Sequence, residues 1–211
     1  MSIPVIPEID LSIQTGVLLM ALEGLFLLIL QFDEQHISSF AARKLCHAGT
    51  GVLMLSLNTK YLINRLFAYG LVVSSLVMTW ELIPGIPNWR FGIYGDIGIT
   101  VYLVVVGIWY FLRLPIIVLA PVFFADPAGA VVGKWASRNF PRFNPQFVGS
   151  KTIMGSLAVL VVAFVTLHSP TGVLARSLVA TTIALVEAFG GKYDNLNITA
   201  VVVTAWMLLT D

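Results

Sequence analysis

Ile116-Ile-Val-Leu-Ala-Pro-Val-Phe-Phe-Ala125-Asp126-Pro127-Ala-Gly129-Ala-Val-Val-Gly133-Lys134 is an apolar run of membrane length with one acid inside it, and a basic loop with Arg138, Arg142 and Lys151 follows. A carboxylate at the bilayer centre costs about 3 kcal/mol even on the mildest scale, so intramembrane acids are functional candidates by default. Gly129 and Gly133 let another backbone or a ligand come close, and the Lys/Arg cluster supplies charge that phosphate wants. The combination points to phosphate handling at a membrane.

The rest of the chain fits that setting. Of its 211 residues, 58% are hydrophobic and 11% charged, and mean hydropathy is +0.91. Soluble domains carry about 25% charged residues, so the apolar surplus here needs lipid to cover it. The expectation is an all-α, polytopic integral membrane bundle, a single transmembrane catalytic domain over 1–211. A net charge of +1 gives no argument for nucleic acid, and no basic, aromatic-interleaved surface stands out, so no nucleic-acid partner is expected. Cys46 is the one cysteine, which excludes an intrachain disulfide and a cysteine-based metal cluster; it reads as a packed thiol. Met1–Asp10 contains Glu8 and Asp10 but no Lys or Arg, so the basic start of a signal peptide is missing and the first apolar segment reads as a retained span.

A span needs about 20 mostly apolar residues. Candidates are Leu11–Phe32, Ile37–Leu57, Leu66–Ile83, Asp96–Leu112, Leu114–Gly133, Thr152–Leu167, Thr171–Phe189 and Leu196–Thr210, giving seven or eight transmembrane helices. Arg43, Lys44 and His47 interrupt the second candidate, and Pro84 and Pro87 break the chain after the third. Basic residues favour the cytosolic face. With the loop Lys134–Lys151 cytosolic and eight alternating spans, Arg43, Lys44, Arg90, Lys134, Arg138, Arg142, Lys151 and Lys192 fall inside, against Lys60, Arg65, Arg113 and Arg176 outside. The same alternation puts Asp126, Glu187, Asp194 and Asn195 on the cytosolic side.

Four motifs carry candidate chemistry, each with a plainer alternative. Arg43 and His47 lie four apart and Lys44 and His47 three apart, so they share a helix face. The two cations suit phosphate and His47 suits proton relay; the alternative is a basic helix end at lipid headgroups with a packed histidine. Asp126 suits Mg2+, with Gly129 and Gly133 admitting phosphates and Lys134 neutralising charge. Alternatively Asp126 caps a helix ahead of Pro127, a favoured first-turn residue, and the glycines serve close helix packing. Lys151 with Gly155 and Ser156 at a helix start makes an anion site, unless Lys151 snorkels to the interface and Thr152 merely caps. Glu187, Asp194 and Asn195 offer further carboxylates for a metal or for activating a hydroxyl, unless Asp194 and Asn195 only start a helix. Glu23 and Asp96 are two further membrane acids, for which a structural pairing and a place near the substrate's polar end both stay open.

In this order, Arg43-Lys44 with His47, Asp126…Gly129…Gly133, Lys151-Thr152…Gly155-Ser156 and Glu187…Asp194-Asn195 resemble the polyprenol kinase family, which includes dolichol, phytol and CTP-dependent diacylglycerol kinases. The likeness covers 43–195. It implies transfer of the γ-phosphoryl group of CTP to the hydroxyl of a membrane lipid alcohol with Mg2+, so CTP, the alcohol and membrane lipids are the expected partners. Carried over by position, Asp126, Gly129, Gly133, Lys151, Gly155 and Ser156 would form the nucleotide site. Arg43 and Lys44 would contact phosphates, and Asp194 and Asn195 would complete the pocket. Met154 departs from the family pattern, standing where many members carry an acid.

The chemistry is coherent on its own terms, because phosphoryl transfer asks mainly for positioning and charge neutralisation. Asp194, Glu187 and His47 are the candidate bases, an acid being preferred. The compact chain suits a phytol or polyprenol substrate, with a CTP-dependent diacylglycerol kinase or a phosphatidate cytidylyltransferase-like enzyme as the alternative. A transporter would thread Glu23, Asp96, Asp126 and Glu187 into a path, yet the sequence shows no repeat and its polar residues gather on one face.

Overall fold

The computed structural model describes residues 13–170 and 172–209. The acidic N-terminal segment, Leu11, Thr171 and Thr210 lie outside the described residues. The described chain is all-helical apart from two short strands, and it divides into two compact units, the first ending at Ile116 and the second beginning at Ile117.

The first unit holds α1 (Ile13–Phe32), α2 (Ser39–Ser56), α3 (Leu62–Thr79) and α4 (Ile97–Phe111). Helix α1 packs on α2, and α3 on α4. Ser38 caps α2 by accepting from the Ala41 amide, and Asp96 caps α4 by accepting from Ile99 at 3.1 Å. The acid at 23 is satisfied within the pair α1–α2: Thr50 Oγ1 donates to Glu23 Oε1 at 2.6 Å, with both residues buried. Helix α3 begins and ends four residues before expectation, at 62 rather than 66 and at 79 rather than 83. Its end is set by backbone rather than hydropathy, since Glu81 takes a positive φ of 47° and Pro84 follows.

The second unit holds α5 (Ala120–Asn139), a short antiparallel pair β1 (Gln146–Val148) and β2 (Lys151–Thr152), then α6 (Ile153–Thr166), α7 (Val173–Gly190) and α8 (Asp194–Leu209). Helix α5 continues past Gly133 to Asn139 and stops where Phe140, at φ −135° and ψ 53°, leaves the helical conformation before Pro141. Helices α5–α6, α6–α7 and α7–α8 pack in succession, and α8 returns to α5. Arg176 of α7 donates to the Phe164 and Leu167 carbonyls, satisfying the C-terminal end of α6.

Among the described residues, four stretches are long and apolar enough to cross a membrane: Gln14–Phe32, Leu62–Thr79, Ile116–Asn139 and Val173–Leu209. The last is 37 residues long. It doubles back through Gly191, whose φ of +56° a side chain would resist, so that α7 and α8 pack together. Helices α4 and α6 are apolar but shorter, and α2, with Arg43, Lys44 and His47, does not reach the same apolarity.

The contact between α5 and α6 explains three of the glycines. A Cβ on Gly129 would stand 2.5 Å from Val159 and 3.2 Å from the Gly155 carbonyl oxygen; one on Gly155 would stand 2.9 Å from the Gly129 carbonyl oxygen. At Gly133 it would meet Thr152 Oγ1 at 2.9 Å. These are rigid neighbours, so close helix packing is the work these glycines do. Gly155→Ala is expected to destabilise the protein by about 1–3 kcal/mol through overpacking. Gly70→Ala, where the added carbon meets nothing within 4 Å, should be neutral or stabilising. Thermal unfolding of both variants in detergent checks this, and equal midpoints would remove the close-packing explanation.

Candidate active site

Asp126 is the seventh residue of α5, well inside the helix and 7% exposed. It therefore does not cap α5. Pro127, next to it, lacks the N–H that would bond the Phe123 carbonyl one turn back. Glu187 comes from the last turn of α7 and is 2% exposed, and Asp194 is the first residue of α8. Oxygens of these three carboxylates lie within 4.8 Å of one another.

One cation enters the cluster. Lys151 on β2 hydrogen-bonds and ion-pairs with Glu187, and its Nζ lies 3.5 Å from Asp194 Oδ2. Lys151 is turned inward rather than snorkelling. Burial pulls its ammonium down, but Glu187, then Asp194 and Asp126, outweigh that and hold the group above its ordinary range, so it stays charged. Three carboxylates thus face one ammonium in the quartet.

The strand carrying Lys151 is positioned by a residue that the sequence reading passed over. Buried Asn144 donates from Nδ2 to the Gly133 carbonyl at 3.0 Å and to Ser137 Oγ at 2.9 Å, and its Oδ1 accepts from the Met154 amide at 2.9 Å. It thereby ties α5 to the start of α6. The available signal was Asn144-Pro145, a turn-starting pair in a polar loop. Thr152 does cap α6, accepting from the Gly155 amide at 3.3 Å. Ser156 Oγ, in the first turns of α6, is buried with no hydrogen-bond partner.

The structure thus brings Asp126, Lys151, Glu187 and Asp194 together. Asn195 stands beside them, its amide bonded to Asp194 Oδ1 at 2.8 Å, so Asp194 both starts α8 and faces the lysine. Lys134 is exposed on α5. Arg43, Lys44 and His47 belong to the first unit. There Arg43 is committed to Asp96 through two hydrogen bonds of 2.6 and 3.1 Å, so Asp96 is a structural partner. The His47 ring packs edge-on against Tyr102, with centroids 4.4 Å apart.

The quartet can hold a cation through hard oxygen donors, keep a lysine charged, and accept a proton at a carboxylate that the lysine does not saturate. No family model, curated protein or solved structure matches the chain.

Proposed function

We propose that the protein is a CTP-dependent lipid-alcohol kinase of the polyprenol kinase type, transferring the γ-phosphoryl group of CTP to the hydroxyl of a membrane isoprenoid alcohol, phytol or a polyprenol. The observation that carries this reading is the convergence of Asp126, Glu187, Asp194 and Lys151 from three helices and a strand, residues drawn from three of the motifs that suggest the family. In this reading all eight helices cross the membrane and the basic loop after α5 lies in the cytosol, with the site on that side.

Mg2+ is the cofactor of this proposal. The donor set fits it: carboxylate oxygens are the ligands Mg2+ takes alongside phosphate oxygens, and three carboxylates here outnumber the one ammonium. Asp126 would hold it together with Glu187 or Asp194, and when bound it would neutralise charge on the phosphates. Lys151 would contact the transferring phosphoryl group, and Asp194 or Glu187 would take the proton of the attacking hydroxyl. Both stand in the cluster, whereas the His47 ring is packed on Tyr102, which favours an acid as base. Lys134 and Asn195 would border the nucleotide, and the orphan Ser156 hydroxyl would find its acceptor there. The glycines would act indirectly, by letting α5 and α6 close up.

Purified protein with Mg2+, labelled CTP, ATP or GTP, and a panel of phytol, polyprenol and diacylglycerol tests the proposal. A phosphorylated isoprenoid alcohol with release of CDP is expected. Phosphorylated diacylglycerol would move the substrate class, and pyrophosphate with a CDP-lipid would indicate a cytidylyltransferase. Absence of transfer from every nucleotide to every alcohol would refute a kinase.

A further inference from the structure

Beyond the quartet, the second unit presents a surface that net charge conceals. Helix α5 ends in Lys134-Trp135-Ala-Ser-Arg138-Asn139, and the turn after it reads Phe140-Pro-Arg142-Phe143, followed by Phe147 on β1. Trp135, Phe140, Phe143 and Phe147 are all exposed, Phe143 to 78%, and the Trp135 and Phe140 rings meet edge-on at 5.5 Å. Arg138 and Arg142 are exposed beside them. No acid occurs between Asp126 and Glu187 in the sequence, so nothing local offsets the arginines.

We propose that this patch, residues 135–147, is a docking surface for anionic phospholipid headgroups. Its position argues for lipid rather than a soluble partner: it covers the last turn of Ile116–Asn139, a stretch apolar and long enough to span a membrane, and the segment just beyond, so its rings fall where that stretch leaves the hydrocarbon. Aromatic side chains settle at the headgroup level, and the positive charge of arginines beside them attracts headgroup phosphate. The charge complementarity selects anionic lipid over zwitterionic lipid. Arg138 and Arg142 are outside the phosphoryl-transfer site, so this surface stands or falls apart from the kinase reading.

The test uses the full chain in detergent with equimolar phosphatidylglycerol and phosphatidylcholine, scored by lipid retained in native mass spectrometry. Wild-type protein should retain phosphatidylglycerol preferentially. Arg138→Gln/Arg142→Gln should lose that preference by on the order of fivefold per arginine, while Arg138→Lys/Arg142→Lys keeps most of it. In nanodiscs, a spin label at Phe143→Cys should be accessible to oxygen and shielded from a water-soluble nickel chelate. An undiminished preference in the glutamine pair overturns the proposal. So does a label fully open to nickel, or loss of the preference to inorganic phosphate or a short oligonucleotide, which would make the patch a site for soluble anions.

Discussion

If the protein is the proposed kinase, Asp126→Asn is expected to lower phosphoryl transfer by on the order of a thousandfold, the scale of losing a placed charge at a reacting centre. Asparagine has nearly the same shape, so α5 and its packing should survive. The charge balance sharpens the outcome. With Asp126 replaced by a neutral amide, one carboxylate fewer crowds the cluster, and repulsion there eases. In the absence of divalent cation the variant should therefore melt no lower than wild type. Mg2+ should raise the wild-type midpoint, because a ligand that binds only the folded state stabilises it, and should raise the variant's little. A variant that keeps both its activity and its Mg2+ response would remove Asp126 from the site.

Lys151→Met carries the second large effect, and here folding suffers first. The substitution leaves Glu187, almost wholly buried, and Asp194 without their cation. Removing one member of a buried ion pair costs about 3–5 kcal/mol, mostly as the penalty of the stranded charge. The double variant Lys151→Met/Glu187→Gln should recover much of that stability, since the stranded acid is neutralised with its partner, and should recover no activity. Thermal unfolding and transfer assays on the two variants separate the roles. Wild-type stability in Lys151→Met would show that the ammonium is not what keeps the acids buried.

Several parts of this arrangement were legible before any coordinates. Eight apolar stretches became eight helices among the described residues, because hydrophobic length is a local property that a sequence displays directly. Boundaries moved where backbone conformation intervened, as at Glu81 beyond α3 and at Phe140-Pro141 beyond α5. Asp126 could be named from its cost in an apolar setting, and Glu187 and Asp194 from their places at the ends of neighbouring apolar stretches, but their meeting is a tertiary fact that no spacing encodes. The glycines show the opposite ambiguity: a gap in side-chain volume looks the same whether a helix or a phosphate fills it, and only the distance from Gly129 to Gly155 chooses the helix. Asp96 posed a similar question, and the guanidinium of Arg43, 53 positions away, answered it. Asn144 escaped notice because a buried asparagine in a loop has no periodic signature.

That asparagine has a mechanical consequence. Three corners of the quartet are mounted on helices, but the fourth, Lys151, is mounted on a connecting segment, which ordinarily would wander. One planar amide braces the segment at both ends, gripping α5 on one edge and the threshold of α6 on the other. The lysine thus rides on a segment that a single side chain moors to the helices on either side.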